Sequence, residues 1–547
     1  MSKTRPKFDP WPCYLGAGAD VLPSLGNEWT PLVSCPANFP PELFGSAVSL
    51  LLHHPEYNST LILRSDIIHE TSVVSEFPKL VPTLVGHEFV QCLTRRLLPR
   101  RPERDASVDQ HCTLYSTGSS QLLKNGTGNA VVGHSEQKNV TDTLVLTPVV
   151  PPGSTLPYYH PAVYHFAFRY LRVPEPTEEV VGSSTSDPID SGSYVHNRLR
   201  IEVQPLPGTP SDPQSRLYRT SLALLDALHR YGWGMLNSYQ KRVFHDVHVP
   251  REAYQDLYLV LRARHRGLVD TWKESTDPLK HVFEDISIAT YLMLLWKTMF
   301  ASDDLERDRR DEDLQEEPWR WWPRPPAGFI DLGCGNGLLT HILITEGYNG
   351  HGLDLRSRTS WSSYPTMTQA SLHVCALDPA EFVIGNHVNV SFTTAETHIP
   401  AQAFLIGNHA DELTPWVPVL ATACNASGFL NIPCCAWAFD ERWQRGRLCL
   451  DEFASRLNLG AEGCHTSGYA QYRIWLAALT AYCGWCVECE ALRIPSTRNW
   501  ALVGAWRTRS KDAGAGRVHV HEIANEVRRR GLFKTRRPEG KAGDVQS

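Results

Sequence analysis

The amino-acid sequence predicts an α/β protein in which residues 327–510 form a doubly wound, mostly parallel sheet with an antiparallel terminal hairpin. Three observations carry this. Gly328-Phe329-Ile330-Asp331-Leu332-Gly333-Cys334-Gly335-Asn336-Gly337-Leu338-Leu339 reads as an apolar strand, closely spaced glycines and a helix opening, and Gly350–Leu355 follows as a second strand. That order is half of a nucleotide-binding doubly wound sheet. Further apolar strands end at 408 and 436. Finally, ALRIPSTRNWALVGAWR (491–507) reads as two strands joined by Pro-Ser-Thr-Arg-Asn.

The preceding chain reads differently. Residues 1–215 are rich in Pro, Gly, Ser and Thr, with short apolar runs such as TLVLTPVV and YHFAFRYLRV, and predict an α+β N-terminal region of strands and loops. The stretch 174–213 has the composition of a flexible connection. TRRLLPRRPERD (94–105) reads as a solvated loop or a phosphate contact. From 216 to 300 the pattern is helical. Leu217, Leu224, Leu225 and Leu228 share a face, with Gly232 as a stop. A second helix fits Arg251–Arg264 behind Pro250, and a third fits His281–Phe300 behind the turn STDP. Between the first two, KRVFHDVHVPREAYQD is dense in charge and His, so it is surface or site. Residues 301–326 form an acidic, Pro-rich linker, with nine acids against three Arg in 302–317. Residues 511–547 form a basic tail.

Composition bounds the class. A 547-residue chain with 42% hydrophobic residues has two or three domains with ample core, and wholesale disorder is excluded. The first residues hold no apolar signal region. The most apolar window, 286–300, is too short to span a bilayer and carries Lys297, so a cytoplasmic, membrane-free protein is expected. Fourteen Cys is far from the density of a disulfide scaffold, and reduced buried thiols are expected, Cys434 and Cys435 among them. Cys483, Cys486 and Cys489 form CxxCxxC, but in a strand-like run with no second ligand pair, so no metal is expected.

The glycine loop narrows the cofactor. A dinucleotide fingerprint would place its third glycine at Leu338; this loop instead has an acid two residues before its first glycine. Asp331 would repel a pyrophosphate and attract the ammonium end of S-adenosylmethionine. Asp354, 23 residues later at a strand end, is suited to ribose hydroxyls, with Leu355 beside it. The pattern resembles motif I of Rossmann-like, class I methyltransferases. Gly333, Cys334, Gly335, Asn336 and Gly337 are the loop positions expected at the cofactor, and Asp378 in CALDP is a candidate adenine reader. In AFLIGNHADELTPW an apolar strand ends at Asn408 and His409, after which Asp411 and Glu412 open a helix. In the related methyltransferase architecture this strand end borders the transferred methyl.

FIDLGCGNGLL with GLDLRSRTSW, LIGNHADELTPWVPVLA, NIPCCAWAFD and LRIPSTRN closely resemble the tRNA (uracil-2′-O)-methyltransferase family, which modifies uridine 44 of serine tRNAs. Upstream, LLPRRPERD, YYHPAVYHFAFRY, KRVFHDVHVPREAYQDLY and ESTDPLKHVFEDISIATYLMLLW are also similar to it. The resemblance spans roughly residues 90–510 and implies S-adenosylmethionine as cofactor, tRNA as substrate and a cytoplasmic enzyme, with no obligate protein partner inferred. It implies in-line attack of a ribose 2′-oxygen on the sulfonium methyl, so a base must take the hydroxyl proton. The candidates rank Asp411, Glu412, His409, with His245 and Lys280 behind them. The Lys–Asp–Lys–Glu tetrad of some other 2′-O-methyltransferases is not evident. A methyltransferase acting on protein or a small molecule, and an inactive tRNA-binding scaffold, are the alternatives.

Positive charge for RNA is expected at Arg356, Arg358 and Arg498 and in the tail, at Lys534, Arg536 and Arg537. Residues 505–547 hold 11 Lys or Arg against five acids, a net of +6 within a chain total of −6. Deleting 511–547 is therefore predicted to weaken tRNA binding and flatten its salt dependence; an unchanged slope of log affinity against log salt argues against the tail.

Overall fold

The computed structural model describes residues 4–13, 22–73, 78–117, 140–173, 197–238, 243–301, 317–385, 391–392, 395–396, 399–439, 441–445, 457–459, 467–505 and 515–531. The acidic run 302–316 and Lys534, Arg536 and Arg537 lie outside them. The chain divides into two compact units, Met1–Gln240 and Lys241–Ser547. Among the described residues no helix is long and apolar enough to cross a membrane.

The first unit is an antiparallel sheet with two helices. Its strands are β1 (Trp11–Pro12), β2 (Thr30–Pro36), β3 (Ile62–Thr71), β4 (His87–Pro99), β5 (Val108–Thr117), β6 (Thr143–Val149), β7 (Val163–Leu171) and β8 (Arg198–Pro205), ordered β1-β2-β8-β7-β6-β5-β4-β3. The helices are α1 (Phe44–His53) and α2 (Arg216–Leu236). Leu217, Leu225 and Leu228 of α2 meet Phe44 and Val48 of α1 and Phe166, Phe168 and Ile201 of the sheet in one core. Gly232 does not stop α2. It lies inside the helix, where the Phe39 ring occupies the place of a side chain, 2.2 Å from an ideal Cβ. The arginine-rich stretch is a loop only in part, because Thr94–Pro99 continues β4. There Arg95 is buried and donates to Gln110, while Arg96 pairs with Asp109 at 2.7 Å.

The second unit contains α3 (Arg251–His265), α4 (Pro278–Met299), β9 (Phe329–Leu332), α5 (Leu338–Thr345), β10 (Gly350–Asp354), α6 (Thr366–Gln369), β11 (Leu372–Val374), α7 (Pro379–Ile384), the short pair β12 (Ser391–Phe392) and β13 (Ala395–Glu396), β14 (Phe404–Asn408), α8 (Trp416–Ala423), β15 (Gly428–Ile432), the short pair β16 (Trp437–Ala438) and β17 (Glu441–Arg442), α9 (Gly468–Tyr482), β18 (Glu488–Ala491), β19 (Trp500–Gly504) and α10 (Ala515–Arg530). The main sheet runs β11-β10-β9-β14-β15-β19-β18. β11 through β15 pair in parallel; β19 is antiparallel to both neighbours. Alternate residues serve two cores: Ile330, Leu405, Phe429 and Leu502 face α7, α8, α9 and α10, while Phe329, Phe404, Leu430 and Val503 face α3, α4 and α5. The expected basic tail 511–547 is thus a packed helix over 515–530, with Val520, Ala524 and Val527 buried in the first of these cores. Helices thus cover both faces. The helical stretch 216–300 is shared between the units, α2 building the first core and α3 and α4 the second.

Local sequence explains the element ends. α4 starts three residues before the expected His281, because Asp277 accepts the Leu279 N–H at 3.0 Å and Pro278 sits in the first turn. Residues 243–250 are tied to β18 and the turn beyond it: Val247 N–H donates to Glu490 at 2.9 Å, and Asp246 holds Arg493 through two bonds of 2.7 and 2.6 Å. β15 ends before Pro433, so Cys434 and Cys435 lie beyond the strand and are half-buried. The CxxCxxC run is not one strand either: Cys483 follows α9, and only Cys489 lies in β18.

One buried ion cluster holds the first sheet. Glu202 and Arg200 are fully buried, and Glu202 accepts from Arg169 at 2.7 Å, Arg200 at 2.6 Å and the Leu25 N–H at 2.9 Å. Burial pushes the Glu202 carboxyl up, but the two guanidiniums outweigh it and the net direction is down. Its contribution is therefore present above the ordinary carboxylate range and lost as pH falls through its folded value. Glu202→Ala strands two buried guanidiniums and is predicted to destabilise this unit by about 3–5 kcal/mol, read as a lower urea midpoint for its unfolding transition; an unchanged midpoint contradicts this.

Candidate active site

The order in which strands are added reverses at β9, which pairs in parallel with β10 on one side and β14 on the other. Ligands in open α/β sheets bind outside the strand carboxyl ends at such a point. There the chain leaves β9 through Gly333, Gly335 and Gly337, with φ of 72°, 56° and 74°. All three are left-handed, which favours glycine. At Gly337 an added Cβ would meet Leu372 at 2.9 Å and the Trp361 Nε1 at 3.3 Å. At Gly335 it would meet nothing within 4 Å, so the backbone there faces open space.

That space is a cavity of about 410 Å³. Asp331, Gly333, Cys334, Gly335, Asn336 and Leu339 line it from the glycine loop and α5, and Asn408 and His409 from the end of β14. Lys280, His281, Glu284 and Asp285 enter from α4, and Cys434, Ser496 and Arg498 from two loops. Among the sequence candidates, the structure thus brings Asp331, Gly333, Cys334, Gly335, Asn336, Asn408, His409, Lys280 and Arg498 together.

The electrostatics of the wall are unusual. Asp331 is 1% exposed. Thr340 Oγ1 donates to its Oδ2 at 3.0 Å, while its Oδ1 has no hydrogen-bond partner among the described residues. Burial pushes this carboxyl up to about 7, Thr340 opposing and Asp354 reinforcing the shift. Asp285 is held well above the usual range by burial and by Asp331 and Glu284, and accepts from Asn408 Nδ2 at 3.4 Å. Removing a carboxylate from water disfavours its charge, and a neighbouring anion adds to that. A ligand with a positive pole relieves both. The orphaned Asp331 Oδ1, the acid pair on α4 and the open backbone at Gly335 therefore fit the cationic end of S-adenosylmethionine.

His409 is set at the mouth of β14 in a left-handed conformation, φ 52°. Its Nε2 lies 3.0 Å from Glu284 Oε1, and its Nδ1 is buried with no hydrogen-bond partner among the described residues. Burial pushes Glu284 up, but the bond to His409, its charge, Ser496 and Lys280 outweigh this, and the net direction is down. Glu284 is thus an ionised carboxylate orienting an imidazole.

Other candidates are placed apart from the cavity lining. Asp354 ties β10 to the glycine loop, accepting the Gly335 N–H at 2.9 Å and the Arg356 N–H at 3.2 Å, with Arg358 3.9 Å away and Leu355 half-buried beside it. Asp378 caps α7, accepting the Ala380 and Glu381 N–H groups at 3.0 and 3.2 Å. Asp411 and Glu412 do not open α8; they form a separate turn, Asp411–Leu413, in which Asp411 (φ 45°) is exposed. Asp411 Oδ1 accepts from Cys434 Sγ at 3.5 Å, and Asp411, Cys434 and Cys435 bring one potential ligand atom each within 4.8 Å of one another. His245 Nδ1 meets the Ala491 carbonyl. Sequence reasoning missed Glu284, Asp285 and Ser496. The signal for the first two was a pair of carboxylates set directly before the apolar run 286–300 of one helix, a costly placement without partners.

Known proteins resemble this chain along nearly its whole length. Residues 10–242 match the model described as "TRM44-like, N-terminal bet v1-like domain". Residues 248–307 and 321–379 match "Predicted AdoMet-dependent methyltransferase". The tRNA (uracil-O(2)-)-methyltransferase of Neurospora crassa is 33% identical over 93% of this chain and 93% of its own. The Schizosaccharomyces pombe protein of that name is 32% identical over 87% of this chain and 85% of its own. The Saccharomyces cerevisiae one is 28% identical over 88% and 87%. No solved structure matches. On this similarity along nearly its whole length, the chain belongs to the tRNA (uracil-O(2)-)-methyltransferase family.

Proposed function

We propose that this protein transfers a methyl group from S-adenosylmethionine to the ribose 2′-hydroxyl of a uridine in tRNA, with uridine 44 of serine tRNA as its target. The observation that carries the reading is the meeting, in one cavity, of a cation-seeking wall and an oriented imidazole. The strand order, with β19 reversed between β15 and β18, supports a Rossmann-like, class I assignment of the second unit. The cytoplasm is the proposed location.

S-adenosylmethionine supplies an electrophilic methyl group on a sulfonium centre. Asp331, Gly333, Cys334, Gly335, Asn336 and Asn408 would hold it, as the residues lining the cavity. Gly337, Asp354, Leu355 and Asp378 act behind them, shaping the loop and its neighbours. With Nε2–H donated to Glu284, the His409 Nδ1 carries the free lone pair; that atom is buried, and a small tilt of the ring toward the cavity would bring it to the proton of the attacking 2′-hydroxyl. Glu284 then stabilises the imidazolium. His409 thereby ranks ahead of Asp411 and Glu412, which lie in the adjoining turn and not in the cavity wall. Arg498, stacked 3.9 Å over the Tyr469 ring, and Lys280 line the cavity and would meet RNA phosphate, to which Arg356 and Arg358, after β10, would add charge.

Incubating the protein with labelled S-adenosylmethionine and unmodified serine tRNA is predicted to yield one 2′-O-methyluridine, at position 44 by nucleoside mapping. Label in another tRNA or in none contradicts the assignment. His409→Ala is predicted to lower kcat by about 10²–10⁴-fold with cofactor affinity retained. Glu284→Gln should lower kcat with S-adenosylmethionine affinity retained, because the ring loses the carboxylate that fixes its Nε2–H. A near-wild-type single-turnover rate for His409→Ala removes it as the base.

A further inference from the structure

A second hollow, of about 420 Å³, opens beside the cofactor cavity. α4 forms the wall between them. Its Lys280 and Glu284 face the cofactor cavity, and its Leu279, Phe283 and Ser287 line the second hollow. These are two adjacent stripes at i, i+4 spacing on one helix. The loop after β18 divides in the same way, with Arg493, Ile494 and Pro495 on one side and Ser496 and Arg498 on the other. The two hollows are therefore one side chain apart along both elements that separate them.

The lining of the second hollow has the chemistry of a nucleotide site. α3 supplies Tyr258 and Arg262, again at i, i+4. The Arg262 guanidinium lies 5.3 Å from the centre of the Phe283 ring. Tyr258 is braced against Tyr254, the rings 6.0 Å apart and 4° from parallel, and the Tyr254 hydroxyl donates to the Arg493 carbonyl at 2.8 Å. Arg493 is itself fixed by Asp246. The walls are thus pre-set aromatic faces beside a guanidinium. Unpaired RNA bases are read by stacking on such faces, and guanidinium suits phosphate.

We propose that this hollow takes a nucleotide flanking the methylated uridine, its base against Phe283 and Tyr258 and its phosphate at Arg262. The proposal rests on the tRNA reading above and adds a positioning role for these side chains. An RNA strand drawn across the α4 ridge would seat the target ribose at His409 and its neighbour one step away, which fixes the reacting oxygen in line.

The test uses full-length protein, intact unmodified serine tRNA and two tRNAs abasic at the nucleotide on either side of the target. With wild type, one abasic tRNA is expected to raise KM about 5- to 100-fold, the range of a base stacked on an aromatic ring. Phe283→Leu is expected to raise KM similarly on intact tRNA and to add nothing on that abasic tRNA. Arg262→Gln should lower the salt slope of tRNA binding by about 1. Both variants keep wild-type S-adenosylmethionine affinity and thermal midpoint, which separates the effect from misfolding. If wild type methylates the uridine but neither variant changes KM, or Phe283→Leu and the abasic change act independently, the subsite is overturned while the function stands. If wild type methylates no tRNA, the functional reading fails and this proposal with it.

Discussion

Burial of carboxylates where β9 and β14 end is the constraint on which the second unit is organised. Asp331 closes against Thr340, and Glu284 and Asp285 of α4 are pressed toward it from an apolar helix. Three acids in so small a volume repel one another, and Asn408, His409 and Lys280 offset that repulsion only in part. The helix is nevertheless anchored there, because Ile286, Tyr291 and Trp296 bury their apolar bulk against the sheet. Packing holds the acids in place and electrostatics leaves them short of positive charge. A cationic ligand supplies what the fold withholds.

The same arrangement gives His409 its role. The left-handed turn at the end of β14 carries the imidazole past the strand, and Glu284 catches one nitrogen and leaves the other for substrate. Strain of this kind persists where surrounding structure over-determines it. Here β14 pairs with strands on both sides and the His409 backbone N–H bonds the Ile432 carbonyl at 3.1 Å, so the backbone that carries the ring is fixed. Asp331 and His409 therefore stand at set positions on adjacent strands.

What the sequence made legible was whatever is local. The glycine loop, Asp331, Asp354 and the terminal hairpin are each written in fewer than about 25 consecutive residues, the length of one strand–helix–strand step. The His409–Glu284 pair joins positions 125 apart, and nothing local announces it. Asp411 ranks first as base in the sequence because a carboxylate there follows the strand end expected at the methyl; the chain sets it in a separate, exposed turn. Gly232 looked like a helix stop because its packing partner, Phe39, lies far upstream. The arginine-rich run, read as a solvated loop or a phosphate contact, misled only at its start: Arg100, Arg101 and Arg104 are exposed, while Arg95 and Arg96 lie in β4 opposite Gln110 and Asp109.

The central claim is that a starved acidic wall selects a cationic methyl donor. Calorimetry of S-adenosylmethionine binding at pH 6, in buffers of different ionisation enthalpy, tests it most directly. Asp331, with its carboxyl pushed up to about 7, is largely protonated at that pH and must ionise to meet the cation. Proton release is expected on binding at pH 6 and fades above pH 8, and Asp331→Asn is expected to bind weakly and release less. Tight binding without proton release, unaltered by Asp331→Asn, would contradict it.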